Sequence, residues 1–171
     1  MSSETEAPAF QLPEPGNEHK LLEPFAGTFK SIVRLWMGPG DPQVSTGTMT
    51  NSFQLRDLFL HQDYVGDAVD GPFPNFCGKG YWGYNQTKQQ YEGFWIDNAT
   101  TTMQVEMGQV DDTGKTWTMH SEVLFPGMDQ PLKKRTLIIL VDQDHHRMES
   151  YVTGPDGNEF KNMEIEYERA K

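Results

Sequence analysis

From Thr28 to Arg169 one local pattern recurs at a spacing of about 10–14 residues: a short run with apolar side chains at alternate positions, closed by Gly, Pro, Asn or Asp. Such period-2 alternation marks a strand that buries one face. In the first run Phe29, Ser31, Val33 and Leu35 share a face and Lys30 and Arg34 take the other, before Gly38-Pro39-Gly40-Asp41-Pro42 turns the chain. In the second, Met49, Asn51, Phe53 and Leu55 oppose Thr48, Thr50, Ser52 and Gln54. Residues 58–65 supply a third strand, and a Pro/Gly-rich loop, 66–75, follows it. Further strands are read over 76–84, 90–96, 102–110, 116–125, 132–141, 147–153 and 160–169, about ten in all.

The connectors Asn85-Gln86-Thr87-Lys88, Asp111-Asp112-Thr113-Gly114 and Pro155-Asp156-Gly157-Asn158 carry residues that tolerate positive φ or bond their own backbone, so neighbouring strands run antiparallel. An open sheet of this length would have to protect two edges from aggregation, and closure removes both. The expected fold is therefore all-β: a single antiparallel up-and-down β-barrel of about ten strands. Ahead of it, Asn17 caps a short helix over 18–22 that Pro24 and Gly27 end, and this helix is expected to plug one barrel mouth. Residues 1–16, with Pro8, Pro13 and Pro15 and little apolar surface, read as a disordered tail, leaving 17–171 as the one barrel domain.

At 171 residues the chain can build one sizeable core and not two. A formal charge of −11 argues against nucleic acid and anionic membrane surfaces as partners, because both need clustered Lys and Arg. The longest aliphatic run, 137–141, is far too short to span a bilayer. No basic, then apolar, leader opens the chain, so a cytoplasmic location is expected, and the lone Cys77 fits a reducing compartment. Asn85-Gln86-Thr87 and Asn98-Ala99-Thr100 match the glycosylation pattern and read instead as hairpin turns.

Several local motifs run along these strands: Ala26-Gly27-Thr28-Phe29, Trp36-Met37-Gly38-Pro39-Gly40, Gly80-Tyr81-Trp82-Gly83-Tyr84, Trp95-Ile96-Asp97-Asn98, Tyr151-Val152-Thr153-Gly154-Pro155 and Met163-Glu164-Ile165-Glu166-Tyr167. On these motifs the stretch from His19 to Arg169 resembles the bacterial domain-of-unknown-function family 1579. That resemblance implies a lipocalin-like (calycin) barrel. The family carries Trp where Phe29 stands, so an aromatic is kept at the barrel base. Since the family has no assigned activity, the resemblance implies a fold and not a reaction. Lipocalin-like proteins stack a C-terminal Arg over that aromatic, which suggests Arg169 as a cation–π closure clamp. The alternative is that Arg169 and Tyr167 receive a ligand carboxylate, as an Arg/Tyr pair does in fatty-acid-binding barrels.

Gly78-Lys79-Gly80-Tyr81-Trp82-Gly83 spells G-x-G-x-x-G, but its glycines fall inside a strand and no helix follows to receive a phosphate. Barrel bends or close backbone approach explain them better. His61 with Asp63, and His120 with Glu122, are i, i+2 pairs that share a face of a strand and could form acid/base dyads; the neighbours of His120 claim the inside and leave it solvated. Asp142, Asp144, His145 and His146 carry metal-ligand groups, yet they read as a solvated turn with no third element to complete a site. Haem held as in nitrobindin-type barrels would want a proximal His in the last strand, which has none. No cofactor, no metal and no catalytic residue is assigned.

What remains is the lumen. Trp82, Tyr84, Trp95, Tyr64, Tyr151, Tyr167 and Met163 supply an aromatic and thioether wall, which suits either a packed core or an adaptable apolar pocket. Asn51, Gln62 and Asp97, with Arg169, add polar groups that need partners inside a closed barrel. The expected function is non-catalytic binding of a small apolar or amphipathic ligand in the lumen. The first alternative is a cofactor-free isomerase or hydrolase using His61 and Asp63, or Asp97, at a barrel mouth. The second is a solid barrel acting as an interaction module, with Trp36 as an exposed anchor and self-association left open.

Overall fold

The computed structural model describes residues 11–68, 73–124 and 128–171. Ten strands follow a short helical entry: β1 (Gly27–Leu35), β2 (Gln43–Gln54), β3 (Phe59–Gly66), β4 (Cys77–Asn85), β5 (Gln90–Asp97), β6 (Gln104–Val110), β7 (Thr116–Val123), β8 (Leu132–Leu140), β9 (His145–Thr153) and β10 (Glu159–Arg169). Each pairs antiparallel with its sequence neighbours, and β1 pairs with β10 to close the barrel. Phe29 stands directly opposite Arg169 in that closing register. The expected up-and-down barrel is the observed one. Its assigned tail falls partly on residues 1–10, and the end of its seventh strand on Phe125; both lie outside the described residues. Residues 11–16 are irregular and mostly exposed, with Gln86 Nε2 donating to the Glu14 carbonyl at 3.0 Å.

Up-and-down connectivity gives the barrel two unlike ends. The turns 55–58, 86–89, 111–115 and 141–144 gather at the base, where the chain also enters; the opposite strand ends form the mouth. Helix α1 (Asn17–Lys20) has Gly16 at its cap, one residue earlier than expected, and a 3₁₀ turn (Glu23–Phe25) follows. This entry segment seals the base, because Leu22 and Phe25 are fully buried against Leu60, Trp82, Tyr91, Trp117 and Met119. Phe25 meets Trp82 and Trp117 edge-on, at centroid distances of 5.3 and 5.2 Å, the arrangement that ring quadrupoles favour.

Arg169 locks the same end. Its guanidinium lies over the Phe29 ring at 4.5 Å and donates to the carbonyls of Ala26 and Pro24, both at 2.8 Å, and of Gln143 at 2.9 Å. It passes so close to Gly27, at φ 125°, that a Cβ there would stand within 2.4 Å of Nη1. The strands β2, from Gln43, and β9, from His145, start earlier than the sequence reading has them. For β9 the reason is local. The Asp142 carboxylate accepts the backbone N–H groups of Asp144 and His145, both at 2.8 Å, and tightens the turn so that the chain is back in the ladder by His145.

The candidate ligand-binding lumen

Strand parity decides which side chains enter the barrel. Paired registers carry one inward row across the sheet: Ser31 beside Tyr167, Met49 beside Tyr64, Leu60 beside Trp82, Met119 beside Thr136, and Met148 beside Ile165. Near the base this row is solid. Higher up, the inward side chains of Val33, Gln62, Trp95, Glu106, Lys134 and Met163 keep partial solvent exposure. The glycines of β4 leave room for Trp95, whose ring comes so close to the backbone at Gly78 that a Cβ there would clash with it. The G-x-G-x-x-G run thus serves close backbone approach, as expected of strand glycines.

At the boundary between the two regions is a cavity of about 40 Å³. Phe25, Met49, Ile138 and Met148 form its apolar wall, with the rings of Trp82 and Tyr167. Asn51, Gln62 and His146 supply its polar groups. Asn51 spends its Nδ2 on the Phe25 carbonyl at 2.8 Å, which leaves Oδ1 buried without a partner among the described residues. Trp82 Nε1 and Ser150 Oγ are buried and unpartnered in the same way. Such a group forfeits about 1–3 kcal/mol that a bound water or ligand atom would return. The cavity is not sealed, since Gln62, Ile138 and Met148 are only half-buried.

His146 is the site residue that sequence reasoning missed. It stacks on Tyr167 with ring centroids 4.3 Å apart and meets Phe25 and Phe29 edge-on, so it belongs to the lumen and not to the turn before it. Burial, with the nearby Arg169 charge, pushes its pKa down to about 3, and the imidazole is neutral at pH 7. Burial raises the Tyr64 and Tyr167 phenols, which therefore stay protonated. Tyr64 also accepts a hydrogen bond from Ser31 Oγ at 3.1 Å. The signal for His146 was parity: counted back from Val152, Ser150 and Met148, it shares their face.

Of the residues singled out for the lumen, Asn51, Gln62, Trp82 and Tyr167 meet at the cavity, and Tyr64, Trp95 and Met163 line the wall above it. The other four lie elsewhere. Tyr84 packs at the base against Tyr91 and His19, at 5.0 and 6.0 Å between ring centroids. Asp97 sits at the rim, taking the Trp95 indole N–H at 3.0 Å and capping the turn through the Ala99 and Thr100 amides. Arg169 is committed to the base, so the carboxylate-receiving alternative loses its cation. Tyr151 is a correction. Its parity in β9 puts it outside, bonded to Glu149 and beneath the Arg135 guanidinium at 4.4 Å, because the inward positions belong to Ser150 and Val152.

The sequence pairs come apart likewise. His61 lies on the outer wall against Tyr81, at 4.9 Å between centroids, and Asp63 pairs there with Lys79 at 2.9 Å, so they form no dyad. His120 is exposed on the same outer side. In the 142–146 turn, Asp142 holds His145 at 2.8 Å and Asp144 holds Arg169 at 3.2 Å, while His146 turns inward, and the four groups do not converge. Trp36 is partly buried at the rim, bordering a groove of about 460 Å³ with Pro39 and Phe160.

A family model described as a protein of unknown function (DUF1579) matches residues 14–169. The chain belongs to that family. No curated protein matches its sequence. Among solved structures, this DUF1579 chain is similar to Rv2717c from M. tuberculosis, with a TM-score of 0.65 at 14% identity over 92% of this chain and 100% of that one. It is also similar to the S-type phycobiliprotein lyase CPES from Guillardia theta, with a TM-score of 0.59 at 10% identity over 92% and 99% of the two chains. At such identities the likeness establishes a shared lipocalin-like barrel. Among the described residues no helix is long and apolar enough to cross a membrane.

Proposed function

We propose that this barrel binds a small apolar or amphipathic molecule in its lumen, without covalent chemistry. The observation that carries the reading is the change in packing along the barrel axis. Above the sealed base, inward Gln62, Trp95, Met148 and Met163 are reachable from solvent, and unpartnered polar atoms are buried at the floor beneath them. A barrel selected only for stability would fill that space and pair those atoms. An apolar wall with a few convergent polar groups is the usual make-up of a small-molecule site. The similarity to a phycobiliprotein lyase is consistent with this reading at the level of the fold.

The test uses the purified full chain. Native mass spectrometry reads out any co-purified small molecule, and titration with the apolar probe N-phenyl-1-naphthylamine reads lumen access. The expected result is saturable probe fluorescence at one site per chain, weakened at least tenfold by Trp95→Ala. Absence of saturable binding, or binding that Trp95→Ala leaves unchanged, refutes lumen binding and favours the solid barrel.

A further inference from the structure

Resting on that reading, we infer that the lumen selects ligands entering with an uncharged hydrogen-bonding head, such as a hydroxyl or carboxamide, and rejects carboxylates and amines of the same length. The floor determines this. Among the described residues none of the side chains around the cavity carries a formal charge: its polar groups are the Asn51 and Gln62 amides, the Trp82 indole N–H, the Tyr167 hydroxyl and the neutral His146 imidazole. Arg169, the cation whose charge reaches His146, is already bound to three backbone carbonyls and to Asp144 at the base. A carboxylate brought here would lose its hydration and gain no cation, and an ammonium would gain no carboxylate; each such transfer is strongly unfavourable.

A neutral head meets the opposite situation. Asn51 is 4% exposed and offers Oδ1 as a free acceptor; Trp82 is also 4% exposed and offers Nε1 as a free donor. Both residues border the cavity. A hydroxyl or carboxamide donates and accepts at once, so it can answer both kinds of unmet demand. The cavity of about 40 Å³ has room for a head of a few atoms, and the Met49, Met148 and Ile138 side chains of its wall suit the start of an alkyl body. Charged inward side chains lie higher up, where Glu106 is bonded to Thr136 and Lys134 to Gln104. A charged far end is thus tolerated at the mouth and not at the floor.

The experiment measures binding of 1-decanol, decanamide, decanoate and decylamine to the full-length protein at pH 7, by displacement of N-phenyl-1-naphthylamine. Decanol and decanamide are expected to bind at least tenfold more tightly than decanoate and decylamine, and Asn51→Leu should lower the affinity for the two neutral ligands about tenfold. The unmodified protein already ranks the four heads, so the test survives if the variant fails to fold. Equal affinities, or preference for an ion, overturn the head-group selectivity while leaving lumen binding in place. No displacement by any of the four, with the probe itself unbound, overturns both.

Discussion

The two halves of the barrel are built from the same strands and packed to different ends. At the base, Leu22, Leu60, Trp117 and Met119 are fully buried and Arg169 stitches the closing strands to the entry segment. Past the cavity the same inward rows hold Glu106 and Lys134 among half-buried apolar side chains. A single up-and-down barrel can thus place its stability at one end and keep the other for binding. Stability and affinity should consequently respond to different substitutions.

The largest expected separation is between two tryptophans. Trp117→Ala, at 0% exposure in the base, should cost about 3–5 kcal/mol in urea unfolding, as large aromatic truncations in close-packed cores do. Trp95→Ala, half-buried in the upper wall, should cost less than about half of that and show its main effect on probe affinity. Equal costs would mean that the upper half is as solid as the base. Arg169→Met should follow at about 2–3 kcal/mol, from carbonyls left without a donor and the lost contact over Phe29, with no change in probe affinity. A fall in affinity for that variant would return Arg169 to the binding site.

The pH dependence probes the boundary between the halves. The folded pKa of His146, about 3, is depressed below the ordinary 6.5, so the unfolded chain binds the extra proton. Its stabilising contribution is present above pH 6.5 and is lost as pH falls from 6.5 towards 3, by about 2 kcal/mol at pH 5. His19, depressed by burial, acts in the same direction; His145, raised by Asp142, acts in the opposite one. Unfolding midpoints at pH 7 and pH 5 should therefore converge in His146→Phe compared with the parent protein. An unchanged difference would place the imidazole in contact with solvent. The smallest effect expected is at the base turn, where Leu55, Arg56 and Asp57 all have positive φ. Arg56→Gly should leave probe affinity unchanged and raise the thermal midpoint through relief of about 1 kcal/mol of left-handed strain.

The barrel itself was legible because period-2 alternation and short turns act locally, and ten such strands leave closure as the way to remove free edges. The pairing of the first strand with the last followed from closure, and the clamp of Arg169 over Phe29 from the family resemblance. Parity also brought Asn51, Gln62, Trp82 and Tyr167 to one cavity. It went astray where side-chain type was weighed above position. Tyr151 looked like lumen material as an aromatic, though the odd positions of β9 also hold Arg147 and Glu149 and face out. His146 looked like a turn residue because how soon Asp142 returns the chain to the ladder depends on hydrogen bonds that composition does not display. Which polar atoms stay unpartnered is a property of the packed barrel alone.

A crystal structure of the full chain with 1-decanol is the most direct measurement. The expected result is electron density for one alkyl chain between Met49 and Met148, with its hydroxyl beside Asn51 and the base unchanged. Density on the outer wall or in the Trp36 groove, over a lumen filled by its own side chains, would contradict the account.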